Sequence, residues 1–323
     1  MKQLVLVDFM YTMHRHMYMV KNQEKRNGGL PIMTHPTTGE ESARLYFAIK
    51  DIEAILQRHP EADIVVCQDR PSFRKESEGT DYKANRSPDR FDAADKAAIT
   101  NTANLLCEAG VSVIYGDGLE ADDLIHSIVK QYKNKYDEIL IYTPDSDLAV
   151  LIDDKTKLMR YKSTYSKNGV NNTGSHATFI EAHALVTTQN FEDYFSDELS
   201  KKGPVTIDYN SLMFFKTTVG DTSDHIAGIK GFGNSAYTKL RNSLISAGHK
   251  NKLKELYTAD AVYQFLNTTC REYLTQAQLE QAVEALNYIK PCYVNIPETV
   301  LKPASSLEIR RKIYDEKWYI KSI

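Results

Sequence analysis

The sequence predicts an α/β fold in which a mostly parallel central sheet is flanked by helices and followed by a helical region. Four short apolar runs, typical of strands buried on both faces of a parallel sheet, occupy residues 3–8, 62–69, 111–115 and 138–145. Helix-like stretches at 41–58, 93–109 and 122–136 lie between them, and this alternation is typical of a doubly wound sheet. From about residue 206 the pattern becomes helical, with segments at 211–219, 234–247, 259–267 and 276–289. We therefore expect an α/β core over residues 1–205 and a helical region over 206–323 that packs on it.

The composition is that of a globular protein. The chain has 323 residues, of which 26% are charged and 42% hydrophobic, so disorder and collagen-like structure are excluded. The first apolar run is too short for a signal peptide or a membrane span, and we expect a cytoplasmic protein without a membrane partner. The four cysteines lack the spacing of a zinc site, and we interpret them as reduced, mostly buried thiols.

Acidic residues follow three of the predicted strands at the point where each strand ends. Asp8, Asp69 and Asp145 occupy these positions. Ligands of open α/β sheets bind at the carboxyl ends of the strands, so we expect the three side chains to converge there. Further acids nearby in sequence bring the candidate metal ligands to nine: Asp8, Asp69, Glu120, Asp122, Asp123, Asp145, Asp147, Asp221 and Asp224.

Nine converging carboxylates would repel one another unless cations neutralise them. Oxygen ligands without Cys or His favour Mg²⁺ or Mn²⁺ over zinc, and two such ions suit phosphodiester hydrolysis. The net charge of −3 does not oppose binding to nucleic acid, because removing the nine negative charges of this group leaves +6 on the rest of the chain.

Each acidic motif also has a purely structural interpretation. Asp8 or Asp69 alone is more often a cap at a strand end, and residues 120–123 could simply begin a helix. Residues 145–147 and 221–224 could be an N-cap and a capping box. The metal-site hypothesis depends on their joint placement.

A cationic segment with an aromatic residue follows the second predicted strand. Arg74 and Lys75 are followed by Tyr82, Lys83 and Arg86. A tyrosine can stack on a base while the cations contact phosphates, which suits a nucleic acid. Considered alone, this segment is more often a solvated surface loop.

A glycine-rich motif over residues 226–236 precedes the predicted helix 234–247. Lys230, Gly231 and Gly233 come just before the expected N-cap, Asn234 or Ser235, where free N–H groups can receive a phosphate. The order of apolar residues and glycines matches a helix–hairpin–helix, a motif that binds the DNA backbone without reading its sequence, and we place it at 219–247.

These motifs together resemble the flap endonuclease and 5′–3′ exonuclease family, particularly its bacteriophage-type members and the nuclease domain of bacterial DNA polymerase I. The resemblance covers most of the first 240 residues and rests on six segments: VDF (7–9), QDRPSFRKE (68–76), YKANR (82–86), GLEADDLI (118–125), TPDSDLAVL (143–151) and VGDTSDHIAGIKGFG (219–233). It implies a PIN-like or resolvase-like nuclease core with a helical arch at about 74–108, through which a 5′ single strand passes.

The resemblance also implies a role for each matched position. Five acids would serve a first Mg²⁺ ion, namely Asp8, Asp69, Glu120, Asp122 and Asp123. Four would serve a second, namely Asp145, Asp147, Asp221 and Asp224. Catalysis would involve Asp8, Asp122 and Asp145 together with Lys83, which would contact the scissile phosphate, and Arg86. DNA would be contacted by Arg74, Lys75, Tyr82, Lys83, Arg86, Lys230, Gly231, Gly233, Asn234 and Ser235, with K⁺ at the hairpin as a further implied ion.

Two departures from the family pattern concern the second half of the chain. Asn234 and Ser235 stand where many relatives have Lys and Thr, so one phosphate contact is weakened. The tail after Pro291 matches nothing, and Arg310, Arg311 and Lys312 with Trp318 predict a solvated helix face more readily than a DNA contact.

The expected function is a monomeric, Mg²⁺-dependent nuclease in which Mn²⁺ can substitute. It would act on 5′ flaps, nicked or gapped duplexes and RNA–DNA primers in replication or repair. Two alternatives stay open: a protein of the same fold that holds branched DNA without cutting it, and a PIN-type ribonuclease.

Overall fold

The computed structural model describes residues 1–76, 82–84, 87, 90–161, 183–199 and 203–320. Its strands in the main sheet are β1 (Gln3–Asp8), β2 (Asp63–Cys67), β3 (Ser112–Ile114), β4 (Glu138–Tyr142), β5 (Thr156–Tyr161) and β6 (His183–Val186). Their order across the sheet is β3-β2-β1-β4-β5-β6. The four pairs from β3 to β5 are parallel, whereas β5 and β6 are antiparallel. The mostly parallel sheet is confirmed, and its antiparallel edge was not predicted.

The helices, in chain order, are α1 (Phe9–Arg26), α2 (Ala43–Arg58), α3 (Phe73–Glu76), α4 (Ala93–Glu108), α5 (Ala121–Tyr132), α6 (Phe191–Leu199), α7 (Leu212–Val219), α8 (Asn234–Ser246), α9 (Lys250–Leu253), α10 (Ala259–Asn267), α11 (Gln276–Ile289) and α12 (Leu307–Trp318). The predicted helices agree with these bounds to within a few residues. Helices α1, α6 and α9 were not predicted, whereas the helix expected at residues 310–312 is observed as part of α12. None of the helices in the described ranges is both long and apolar enough to cross a membrane.

Alternate residues of β1 enter two separate hydrophobic clusters on opposite faces of the sheet. Leu4 and Leu6 pack in a cluster that includes α5 and the helices α7 to α11. Val5 and Val7 pack in a second cluster, which includes α1, α2 and α4. Successive side chains of a strand point to opposite faces, so a continuous apolar run fills both clusters at once. This is why β1 lies at the centre of a doubly wound sheet.

The C-terminal tail returns to the α/β core. Tyr314 of α12 is fully buried in the same cluster as Val5 and Val7. Arg310 is also buried, and its guanidinium donates to both carboxylate oxygens of Glu53 at 2.6 and 2.9 Å. The interpretation of Arg310 as part of a solvated helix face was therefore wrong.

The predicted arch boundaries require a similar correction. Helix α4, which we had placed within the arch at 74–108, packs against α2 through Leu105 and Leu106 in the core. A capping box between Asp92 and Asp95 fixes its first turn. Residues 93–108 are therefore core, and much of the remainder of the predicted arch lies outside the described residues.

The four cysteines are free, as expected, but only two of them are buried. Cys67 and Cys270 lie in the core, whereas Cys107 is exposed and Cys292 is partly exposed.

Candidate active site

The chain changes direction across the sheet at β1, whose neighbours are β2 on one side and β4 on the other. Such a switch point leaves a crevice at the carboxyl ends of the strands. A cavity of about 540 Å³ lies there. It is lined by seven of the nine predicted carboxylates: Asp8, Asp69, Glu120, Asp122, Asp145, Asp147 and Asp224. The convergence inferred from strand ends is thus observed for these seven side chains.

Two of the strand-end acids are fixed by the helices that follow them. Asp8 is the N-cap of α1, and its Oδ1 accepts a hydrogen bond from the Tyr11 N–H at 3.1 Å. Its other oxygen accepts a hydrogen bond from the Thr143 hydroxyl at 3.1 Å. Asp69 accepts from the Ala121 N–H at 2.5 Å, at the start of α5. The interpretation of these acids as caps is therefore correct, and it is compatible with the metal-site hypothesis, because capping orients the carboxylates along the cavity wall.

The acids of the cavity wall disfavour one another's ionised forms. Burial, together with the charges of Asp69 and Asp145, raises the pKa of Asp8 from 3.8 to about 7. Burial also raises the pKa of Asp122 well above its usual value, and the charges of Asp145, Asp8 and Asp69 add to the effect. Like charges that raise one another's pKa in this way stabilise a bound cation.

The donor set fits a hard divalent cation, since it consists of carboxylate oxygens without thiols or imidazoles. Within the described part of the chain, no three His, Cys, Asp or Glu side chains are arranged so that they could hold a metal ion as they stand. Ion pairs explain part of this result. Three basic residues, Arg74, Lys83 and Lys216, form ion pairs with the acids and hold them in their present positions.

Asp123 and Arg74 do not occupy the positions that we expected. Arg74 is buried and binds both oxygens of Asp123, at 2.9 and 2.7 Å. Asp123 also accepts from the backbone N–H groups of Glu120 and Cys292. It is 1% exposed and does not line the large cavity. In this structure Asp123 is a structural counter-ion, and Arg74 is not available to a DNA phosphate.

Tyr82 is also buried, which corrects its expected position as an exposed stacking residue. Its ring stacks on Tyr288 of α11, with centroids 6.1 Å apart and an interplanar angle of 13°. Its hydroxyl donates to Glu120 at 2.8 Å. In this state the face of Tyr82 contacts the protein rather than a base.

Lys83 lines the cavity, as the site hypothesis requires. Its φ of 53° lies in the left-handed region, which residues other than glycine rarely adopt. The Lys83 N–H donates to the Asp224 carbonyl at 2.8 Å, and its ammonium binds Glu120 and lies 3.7 Å from the Asp224 carboxylate. Arg86 lies outside the described residues, as does the side chain of Lys75.

Lys216 on α7 is a cation of the site that the sequence analysis missed. Its ammonium binds Asp147 and lies 2.6 Å from Asp221. Although burial alone would raise the pKa of Asp221, Lys216 and the hydrogen bonds from Ser223 lower it to about 2. Asp221 does not line the large cavity. A lone lysine in the apolar stretch LMFFKTTV was the signal in the sequence that we overlooked.

The glycine-rich motif joins two helices through a short hairpin. Helix α7 leads into the antiparallel strands β7 (Gly220–Asp221) and β8 (Ile226–Ala227), and α8 follows. A Cβ at Gly228 would lie 2.3 Å from the Gly220 nitrogen, so this close approach requires glycine. Gly231 has a φ of +75°, and a Cβ at Gly231 or Gly233 would meet no atom within 4 Å. These two glycines therefore border open space.

The N-terminus of α8 differs in detail from the prediction. Gly233 is the N-cap, and Asn234 is the first residue of the helix. Asn234 is 2% exposed, and its amide donates to the Gly203 carbonyl at 2.7 Å. Its side chain is therefore not placed to contact DNA. Ser235 is exposed, as is Lys230, whose N–H donates to Gln281.

The cavity also has basic and aromatic lining residues that the sequence analysis missed. Tyr11, His14 and Arg15 come from α1, and Arg90 comes from the segment before α4. Arg15 is salt-bridged to Asp51 at 2.7 Å, and His14 stacks on Phe91 at 5.1 Å. The helical spacing of Tyr11 and Arg15 after the Asp8 N-cap was the available signal.

A family model described as "5′-3′ exonuclease, N-terminal resolvase-like domain" matches residues 3–178, more than half of the chain. The chain belongs to the 5′–3′ exonuclease family. The match includes β1 to β5 and seven of the nine predicted carboxylates, up to Asp147. The resemblance stated from the motifs is thereby confirmed.

Relatives of known name agree with this assignment. The chain is 27% identical to DNA polymerase I of Caldicellulosiruptor bescii over 74% of its own length and 24% of the relative's. It is 28% identical to the 5′-3′ exonuclease of Bacillus subtilis, over 64% of its own length and 67% of the relative's. The chain thus spans about a quarter of the DNA polymerases I of Caldicellulosiruptor bescii and Borreliella burgdorferi.

The fold is that of a bacteriophage T5 protein, named D15, which was solved with metal ions. The two structures align with a TM-score of 0.53 at 14% identity, covering 99% of this chain and 100% of the other. A T5 D15 flap endonuclease in complex with DNA and metal ions aligns with a TM-score of 0.50 at 15% identity, covering 89% and 99% of the two chains.

Proposed function

We propose that this member of the 5′–3′ exonuclease family is a Mg²⁺-dependent nuclease that cuts branched or 5′-ended DNA. The observation that carries the proposal is the cavity at the sheet switch point, where seven carboxylates from several different elements meet. Structural ion pairs alone would not require so many acids in one cavity. Mn²⁺ is expected to substitute for Mg²⁺, since both prefer carboxylate oxygens.

The proposed catalytic roles belong to residues on two sides of the cavity. Asp8 and Asp69, held by the N-termini of α1 and α5, form one wall, and Asp145 and Asp147, after β4, form the other. Divalent cations bound between them would activate the attacking water and neutralise charge on the transition state. Lys83 lines the same cavity, and its ammonium can exchange its contact with Glu120 for a contact with the scissile phosphate.

We propose that the substrate is held by the hairpin glycines and by the cationic rim of the cavity. Gly231 and Gly233 border open space at the start of α8, where free N–H groups can receive a phosphate of the duplex or a K⁺-bridged phosphate. Arg15, which is also paired with Asp51, and Arg90 line the cavity and can contribute positive charge near a single strand. We extend the substrate class to 5′ flaps, nicked or gapped duplexes and RNA primers annealed to DNA.

The test is cleavage of four end-labelled DNA substrates with increasing Mg²⁺: a 5′ flap, a nicked duplex, a blunt duplex and a single strand. We expect cutting near the junction of single and double strand. Asp122→Asn and Asp145→Asn should abolish cleavage and leave binding largely intact. Asp260→Asn, which makes the same change on the exposed first turn of α10, is the matched control and should cut normally.

Three outcomes would contradict the proposal. Cleavage by the Asp122 or Asp145 variant at the wild-type rate would show that these carboxylates do not serve the metal. A flap that is shifted but intact at every Mg²⁺ concentration would indicate a protein that binds branched DNA without cutting it. Preferred cleavage of single-stranded RNA over the DNA flap would indicate a PIN-type ribonuclease.

A further inference from the structure

Asp8, on one side of the acidic site, and the Asp147–Asp221 pair, on the other, have different hydrogen-bond donors. On the β1 side, Asp8 receives its hydrogen bonds from neutral donors, the Tyr11 N–H and the Thr143 hydroxyl. On the far side, Asp147 and Asp221 share the ammonium of Lys216. A cation of the protein itself therefore lies where one of the two predicted metal ions would bind.

The carboxylate of Asp221 has its oxygens engaged on both sides. Its Oδ2 accepts from Lys216 at 2.6 Å, and its Oδ1 accepts from the Ser223 N–H at 2.8 Å and from the Ser223 hydroxyl. Asp221 and Lys216 are each no more than 8% exposed. A metal ion that binds Asp221 must use the remaining lone pair of Oδ2 or displace one of these donors, and in either case it would lie close to the Lys216 ammonium.

The position of Lys216 is fixed by the packing of its helix. Helix α7 packs on α11, and its residues Leu212 and Phe214 are fully buried in the core. The small pocket that contains Lys216 is also lined by Leu212, Met213 and Val150. Apolar walls hold the aliphatic stem and leave the ammonium few positions other than between the two carboxylates.

We infer that Lys216 is a positioning residue that serves as the built-in counter-cation of the Asp147–Asp221 pair and limits the DNA-free protein to one tightly bound divalent cation. The inference rests on the proposed nuclease function and deepens it. It assigns the strong site to the β1 side of the cavity. It makes the second site weak, since a fixed positive charge opposes a second cation.

The test counts Mn²⁺ ions bound to the DNA-free full-length protein, by calorimetry and by the electron paramagnetic resonance of free Mn²⁺. Wild type should bind one ion tightly. Lys216→Met and Lys216→Gln, which remove the charge at nearly constant volume, should bind a second ion about tenfold more tightly than wild type or better, equivalent to about 1.4 kcal/mol. Lys157→Met removes a lysine paired with Glu138 away from the cavity, and it should titrate like wild type.

The free energy of unfolding of the same variants gives a second measurement that does not depend on counting bound ions. Without metal, both Lys216 variants should be less stable than wild type, because the buried Asp221 charge loses its partner. Mn²⁺ should restore a larger share of stability to them than it adds to wild type. Because two different substitutions are used, the test survives the failure of one variant to fold.

The inference is overturned if both Lys216 variants bind Mn²⁺ with the same stoichiometry and affinity as wild type. It is also overturned if wild type already binds two ions equally tightly. If neither wild type nor any variant binds Mn²⁺, the proposed nuclease function itself fails. One tight ion in every protein would contradict the role of Lys216 and leave the proposed function standing.

Discussion

Replacing Asp8 by Asn should stabilise the metal-free protein and remove part of its response to Mg²⁺. The carboxylate of Asp8 has a pKa raised from 3.8 to about 7 by burial and by the charges of Asp69 and Asp145. Its ionised form is therefore disfavoured in the folded state. Asn removes the charge and can still accept the Tyr11 N–H that caps α1.

The expected gain in the free energy of unfolding follows from the shift in the pKa of Asp8. A shift of this size corresponds to at most about 4 kcal/mol once Asp8 is ionised in both states, since each pKa unit is worth roughly 1.4 kcal/mol. Asp8 is only partly buried, and Asp145, one of the neighbours that repel it, is exposed. Solvent and relaxation therefore reduce the effect, and we expect a gain of about 1–3 kcal/mol.

The pH dependence of the gain has a definite sign. Because the pKa of Asp8 is higher in the folded state, the folded protein binds more protons between pH 3.8 and about 7. The stability of wild type relative to the variant should therefore fall as the pH rises through this window. The difference should be largest above pH 7 and should approach a small constant value below about pH 4.

The assay is urea unfolding of wild type, Asp8→Asn and Asp260→Asn at several pH values, first in EDTA and then in Mg²⁺. In Mg²⁺ the free energy of unfolding of wild type should rise more than that of Asp8→Asn, because a ligand present at 100 times its Kd adds about 2.7 kcal/mol. An Asp8→Asn protein that is less stable than wild type in EDTA at pH 8 would refute the reasoning. So would a difference that does not change with pH.

Three further predictions concern cations of the structure. Lys83→Ala should lower the single-turnover cleavage rate about 100-fold or more while the Kd for a 5′ flap changes little, because its charge matters mainly in the transition state. Arg74→Met should destabilise the protein by about 3–5 kcal/mol in urea, because Asp123 is left buried without its partner. Arg310→Met should cost a similar amount and should expose α12 to proteolysis, because Glu53 is fully buried beneath it.

Each of these predictions has its own control. Equal losses of affinity and rate in Lys83→Ala would make Lys83 a residue that only positions the DNA. Arg271→Met, on the exposed surface, should leave the free energy of unfolding within about 0.5 kcal/mol of wild type. If Arg74→Met stays stable but loses DNA affinity, the original assignment of Arg74 as a DNA contact would be restored.

The sequence revealed the sheet and the acidic edge because both depend on local patterns. A parallel strand buried on both faces is a continuous apolar run, and an acid at its end must lie at the edge of the sheet. Asp8 and Asp69 could be placed for this reason. The motif at 120–123 could not be resolved in the same way, since Asp122 and Asp123 are adjacent on α5 and point about 100° apart. One of them faces the cavity, and the other faces Arg74.

Pairs that are distant in the chain could not be predicted. Arg310 and Glu53 are 257 positions apart, and nothing in the pattern around either residue identifies its partner. The stacking of Tyr82 on Tyr288 could not be predicted for the same reason, because α11 reaches Tyr82 only through the tertiary fold. Solvent exposure was therefore assigned to Arg74, Tyr82 and Arg310, because cations and tyrosines in sequence segments without apolar periodicity are usually exposed.

The ion pairs of the basic residues determine which of these residues can contact a phosphate. Arg74, Lys83 and Lys216 are basic residues near the acidic cavity, and each binds a carboxylate of the protein. A phosphate can recruit Lys83, which is partly exposed, but cannot reach Arg74 or Lys216 without breaking buried contacts. The cations therefore differ in what they can do, since Arg74 pairs with Asp123 of α5, Lys216 would set the charge of one proposed metal site, and Lys83 could exchange a protein carboxylate for a substrate phosphate. Binding a divalent cation at Glu120 would weaken the hold on Lys83, which links metal binding to the release of the residue that meets the phosphate.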